Sequence, residues 1–189
     1  EPDIGEFRLI LGHCRFLRSW PVLRKQFERR PYRRYRLDLT RSQLEMKGSR
    51  TMISYHAALI YAMVLAATAD AEIVDLEIET IGEMVTMLPV FTKFERGNMG
   101  EIVASCTDLL TEEDGIETAI DMIRQSLPAR LLPTAYALAC DVVAADGEAT
   151  QEELRLLEMM RDRMGLDRLT TAAIERGAGA RYARPEQED

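Results

Sequence analysis

From residue 52 onward the chain predicts an all-α fold: a compact bundle of about seven helices with an internal helix–turn–helix repeat. Three observations carry that prediction. Two runs, Ala57–Ala69 and Ala135–Ala145, are almost wholly apolar, with Asp141 their only charge. The stretches around them place apolar residues at helical spacing, and no segment shows sustained β-branched alternation. Composition agrees, because the chain is 47% hydrophobic but only 6% aromatic, and rich in the helix formers Ala, Leu, Met and Glu.

The elements follow in order. A first helix is expected over Ile53–Ala69 and a second over Asp75–Leu88, with Leu76, Ile78, Ile81, Met84, Val85 and Leu88 on one side. Pro89 closes it, because the residue before proline disfavours the helical region. A third spans Asn98–Leu110, where Ile102, Val103, Cys106, Leu109 and Leu110 form a core-facing stripe. After the acidic turn Glu112-Glu113-Asp114-Gly115, a fourth runs over Ile116–Leu127. The fifth, Pro133–Ala145, is too short to cross a bilayer and reads as a helix buried among others, with Pro133 at its start where a missing N–H costs nothing. Asp146-Gly147 ends it. Thr150-Gln-Glu-Glu153 has the spacing of a capping box and opens a sixth helix, Gln151–Met164, which Gly165 stops. A seventh covers Arg168–Arg176, and the chain from Gly177 reads as loose.

The fifth and sixth helices repeat the first and second. With Asp70 laid on Asp146, Glu72 falls on Glu148 and Glu77 on Glu153. Each copy thus puts three carboxylates across one joint between helices. The first copy has Ala71 where the second has Gly147, and Val74 where the second has Thr150, so its turn is less well formed. The repeat predicts two similar halves related by an approximate two-fold axis, with the two uncharged helices at the centre.

Charge divides the chain. Residues 1–51 hold 13 Lys/Arg and 6 Asp/Glu, whereas residues 52–189 hold 11 and 26. The break predicts a basic extension over 1–51, a helical domain over 52–181 and a loose tail over 182–189. Three readings compete for the extension. The run Arg29-Arg30-Pro31-Tyr32-Arg33-Arg34-Tyr35-Arg36 suits phosphate contacts and base stacking. Phe7, Leu9, Ile10, Phe16 and Trp20 suit peripheral attachment to an anionic membrane face. The third reading is a disordered extension. The chain opens on Glu1, and Met52 stands just before the first helix, as a start placed upstream of the true one would produce. The acidic remainder is expected to repel nucleic acid.

Only the two acidic turns offer candidate chemistry. Asp70, Glu72 and Glu77, and likewise Asp146, Glu148 and Glu153, could supply oxygen ligands to a hard divalent cation such as Ca²⁺. The match to an EF-hand loop fails, because the sixth position from Asp146 is Gln151 where that loop needs glycine. The bland alternative is that Asp146 and Glu153 cap backbone and Glu148 is a solvated charge. With only His13 and His56, a His-based zinc site or a Ser-His-Asp triad has almost no raw material. The expectation is therefore a non-enzyme, the alternative being a metal-dependent hydrolase using paired carboxylates in a pocket that joins both turns. Cys14, Cys106 and Cys140 show no pairing or metal spacing, which fits a reducing, cytoplasmic setting. Tyr61 and Tyr136 take nearly matching places in the two central helices and read as packed rings with satisfied hydroxyls. The methionines read as core filling.

The segments ALIYAMVLAATADAEIVDLEIETIGEMV, EEDG, LPARLLPTAYALACDVVAADGEATQEELRLLEMMRDRMGLD and AAIERGA together resemble the tellurite-resistance TerB-like family. The resemblance covers about residues 52–181 and is strongest at the Asp146-Gly147-Glu148…Glu153 turn. The same helical domain stands at the front of DjlA-type co-chaperones. The resemblance implies an all-helical bundle with an internal repeat, no enzymatic activity, a bacterial origin and a role in metal or envelope stress. It also implies metal binding or contact with a protein partner at the six acidic positions. Nothing after the bundle resembles a J-domain, so the co-chaperone alternative reduces to an accessory domain.

Overall fold

The structure is a computed structural model that describes residues 52–69 and 75–185, with the side chains of 75–78 set aside. Seven α-helices follow one another among the described residues: α1 (Tyr55–Ala67), α2 (Asp75–Met87), α3 (Met99–Leu110), α4 (Gly115–Ser126), α5 (Leu132–Val143), α6 (Gln151–Met164) and α7 (Arg168–Arg181). Short 3-10 turns stand at Pro89–Phe91, Arg96–Asn98 and Ala129–Leu131, and the described residues contain no strand.

The axis of the bundle is α1. Ser54 caps it by accepting from the Ala57 N–H at 3.1 Å, and every residue from Ala57 to Ala67 is buried. A helix that is apolar all round has no solvent face to offer, so neighbours must enclose it. α3, α4, α5 and α6 do so, with a smaller contact from α2. Leu59, Ile60, Met63 and Leu65 are among its fully enclosed side chains. Burial of each stabilises the fold by about 1.5–3 kcal/mol.

The helix packing follows the repeat. α1 and α5 lie against each other as the central pair. Within each half the amphipathic helix packs on its own central helix, α2 on α1 and α6 on α5. Each also crosses to the other half, so α2 touches α5 and α6 touches α1. α3 then packs on α1 as α7 packs on α5. These reciprocal contacts are those expected of two related halves that interlock.

Glycine and proline set several of the helix ends. Gly165 follows α6 at φ +69°, the left-handed conformation in which its N–H reaches back to the last turn. Gly115 opens α4 where a Cβ would lie 2.3 Å from the Leu109 carbonyl oxygen, so the close approach of α3 and α4 requires glycine.

The expected end of the seventh helix is too early. α7 continues through Gly177 and Gly179 to Arg181. Glycine weakens a helix by about 1 kcal/mol relative to alanine, but here tertiary contacts outweigh that. Ala178 is buried in the core, and Arg181 pairs with Asp141 of α5. Beyond α7, Arg184 Nη2 donates to the Ala145 carbonyl at 3.3 Å, while residues 183–185 are exposed. The basic extension over 1–51 lies outside the described residues.

Candidate functional site

The second acidic turn is built as a structural joint. At Asp146-Gly147 the chain turns with Gly147 at φ +92°, and Asp146 Oδ1 accepts from the Glu148 N–H at 2.9 Å. Two residues later the capping box closes. Thr150 donates from its N–H at 2.7 Å and from its hydroxyl at 2.9 Å to Glu153 Oε2, while the Glu153 N–H donates to Thr150 Oγ1 at 3.3 Å. Glu153 is buried and Glu148 is exposed. Of the three carboxylates, Asp146 and Glu153 thus serve backbone groups of the turn. Among the described residues no three His, Cys, Asp or Glu side chains gather as a group able to hold a metal ion. Asp146, Glu148 and Glu153 do not form such a group in this structure. Asp70 and Glu72 lie outside the described residues, and Glu77 lies on α2 among the side chains set aside.

The same turn borders a concave groove of about 1110 Å³, formed because α6 and α7 both rest on α5 and leave an opening between them. Its apolar lining includes Cys140, Val143, Leu157 and Ala178. Asp146, Glu148, Glu152, Glu158 and Glu175 line it as well, with Arg155, Arg161 and Arg184 as the basic residues. Asp146 and Glu148 thus line a cavity, while Glu153 beside them is buried in the cap. Leu154, 47% exposed, also lines the groove.

Tyr136 is enclosed at this groove, fully buried as a residue, and its hydroxyl donates to Glu175 Oε1 on α7 at 2.6 Å. Burial, reinforced by that carboxylate, pushes its ionisation well above the ordinary tyrosine range. In the other half, Tyr61 on α1 donates to Ser105 Oγ on α3 at 3.1 Å. Burial raises the Tyr61 ionisation also, with the Ser105 bond acting in the opposite direction. The two tyrosines are the satisfied, packed rings that their places in the repeat predict, and each joins a central helix to the third helix of its half.

The cysteines and the one charge of the central helices also have defined surroundings. Cys106 and Cys140 are buried as free thiols, and burial pushes Cys140 up to about 12, with Glu175 and Asp141 adding to the effect. Burial likewise raises the Asp141 carboxyl above its usual range, and Arg181 offsets part of that.

Comparisons with protein-family models, with curated proteins and with solved structures found no match to this chain. The geometry therefore carries the functional reading. It brings together groove residues that the sequence did not single out: Leu157, Glu158, Arg161, Glu175 and Ala178. One signal for them was legible. Leu154 stands off the core stripe of α6, on a face that otherwise carries charge.

No helix among the described residues is long and apolar enough to cross a membrane. Of the methionines expected as core filling, Met84, Met160 and Met164 are buried, whereas Met87 is 78% exposed.

Proposed function

We propose that this chain is a non-catalytic helical interaction module that receives a protein segment in the groove between α6 and α7. The observation that supports the reading is the groove itself. α6 and α7 both pack on α5 and leave a concavity floored by apolar residues, with Leu154 exposed in it, beside a border of carboxylates and arginines. A site of that kind suits a segment that lays apolar residues on the floor and sets charge against the rim. Five carboxylates against three arginines favour a basic occupant. The setting, a bacterial metal or envelope stress response, rests on the TerB-like resemblance of residues 52–181. The acidic turn then serves as scaffold, holding α6 at the angle that opens the groove, and no cation is assigned to it.

The test is a titration of the full chain with a labelled amphipathic peptide of leucine and lysine, beside its leucine–glutamate counterpart, followed by anisotropy and NMR. The basic peptide is expected to bind and to shift the resonances of Val143, Leu157 and Ala178. The acidic one should not bind. Glu152→Lys/Glu158→Lys should abolish the response while leaving helical content unchanged. Binding that persists undiminished in that variant would place the partner elsewhere and end the reading.

A further inference from the structure

The chain carries, outside the described residues, a stretch whose chemistry matches the groove. Residues 7–27 contain Arg8, Arg15, Arg18, Arg24 and Lys25, and no Asp or Glu at all. Large apolar residues are interleaved with them, among them Phe7, Ile10, Phe16, Leu17, Trp20 and Leu23. The later run at 29–36 is basic too, but its only large apolar bodies are two tyrosines. The stretch at 7–27 therefore combines both things the groove asks for: apolar bulk for the floor and positive charge for the rim.

We infer that the groove is the docking site of the chain's own residues 7–27, which occupy it until an outside partner displaces them. The inference rests on the reading of the groove as a docking site, and it names the resident. Three observations support it. The groove borders carry five carboxylates against three arginines, within a region, 52–189, that holds 26 acidic and 11 basic residues. The candidate segment is wholly basic in its ionised groups at neutral pH. The connection is long enough, since the 24 residues between Phe27 and Met52 can extend to roughly 80 Å, whereas a domain of this size has a radius of gyration of about 14 Å. Tethering also favours this occupant over a free peptide of equal affinity, because a linked segment stays near its site at an effective concentration on the order of millimolar.

Trp20 is the chain's single tryptophan and reports on the segment directly. The experiment compares its emission and its quenching by acrylamide in the full chain and in a free peptide of residues 7–27. Docking predicts a blue-shifted, quencher-protected Trp20 in the full chain at all protein concentrations. Both properties should return to the free-peptide values in Glu152→Lys/Glu158→Lys. Leu154→Arg, at an exposed position lining the groove, is a second variant should the first disturb the fold. Arg15→Glu/Arg18→Glu/Arg24→Glu should release Trp20 and also raise the affinity for the leucine–lysine peptide at least tenfold. A Trp20 that matches the free peptide in the unaltered chain overturns the inference. So does protection that ignores both groove variants, or protection that grows with protein concentration, which would assign the segment to a second copy. If the leucine–lysine peptide binds while Trp20 is free, only the resident is wrong. If that peptide binds neither the unaltered chain nor the triple variant, the groove reading falls as well.

Discussion

The Tyr136 hydroxyl donates to Glu175 Oε1 at 2.6 Å and so fastens α7 to α5 beside the groove. The two ends of this bond sit in different surroundings, since Tyr136 is fully buried and Glu175 is exposed. Losing the hydroxyl leaves a carboxylate that water can solvate, so Tyr136→Phe should cost only about 1 kcal/mol at neutral pH. The alkaline limb is more telling. Burial first, and Glu175 second, raise the Tyr136 ionisation above its ordinary 10.0. A group whose folded pKa lies above its unfolded value contributes stability that is present below the unfolded value and lost as pH rises beyond it. Urea midpoints should therefore fall as pH rises through the ordinary tyrosine range, and fall less steeply in Tyr136→Phe. Equal slopes in the two proteins would contradict the buried hydroxyl.

The capping box makes a prediction about α6. Thr150→Ala removes the acceptor for the Glu153 N–H and one donor to Glu153 Oε2, and should destabilise the fold by about 1 kcal/mol. The same logic bears on cations. Because Glu153 is held by Thr150, millimolar calcium should leave the thermal midpoint unchanged in the unaltered chain and in Glu153→Gln alike. A calcium-dependent rise that Glu153→Gln removes would return this carboxylate to a ligand role.

Two glycines should respond oppositely to alanine. At Gly115 a new Cβ would meet Leu109 O at 2.3 Å and Leu110 Cα at 2.9 Å, both backbone atoms. The α3–α4 corner must then shift, and Gly115→Ala should cost about 1–3 kcal/mol. At Gly82, inside α2, nothing lies within 4 Å of the added atom. Gly82→Ala should therefore stabilise the chain by about 0.5–1 kcal/mol through helix propensity. Chemical denaturation of both variants checks the pair.

Thiol labelling probes the core. In a Cys14→Ser background, Cys106 and Cys140 should resist iodoacetamide under native conditions, because burial both hides them and suppresses the thiolate, pushing Cys140 up to about 12. Denaturant should expose both thiols in one transition. Rapid native labelling of Cys140 would mean that the groove floor opens readily.

Asp141 is the remaining pH lever. Its carboxyl is raised by burial, with Arg181 pulling the other way. The sign is opposite to that of an ordinary ion pair: its contribution is fully present below the unfolded carboxyl pKa and lost as pH rises through the folded one. Asp141→Asn should therefore be tolerated at neutral pH and should flatten the acidic part of the stability profile, as read by thermal midpoints.

What was legible in the sequence was local. The capping box at Thr150 and Glu153, the stop at Gly165 and the two apolar runs are each specified within a few residues, and the structure forms them. The end of α7 was not legible, because Gly177 and Gly179 argue against a helix that Ala178 and the Arg181–Asp141 pair sustain through contacts forty residues away. The groove was hidden for the same reason. Whether α6 and α7 close on each other or part depends on how each seats on α5, and no spacing within either helix encodes that.

The crossing of α2 onto α5 and of α6 onto α1 has a consequence for how the molecule comes apart. Neither half can shed the other without stripping its own innermost rod, so melting should be a single all-or-none event. A nick in the loop between α4 and α5 would yield two fragments that refold only when mixed, in the manner of an exchanged dimer whose protomers have been spliced end to end.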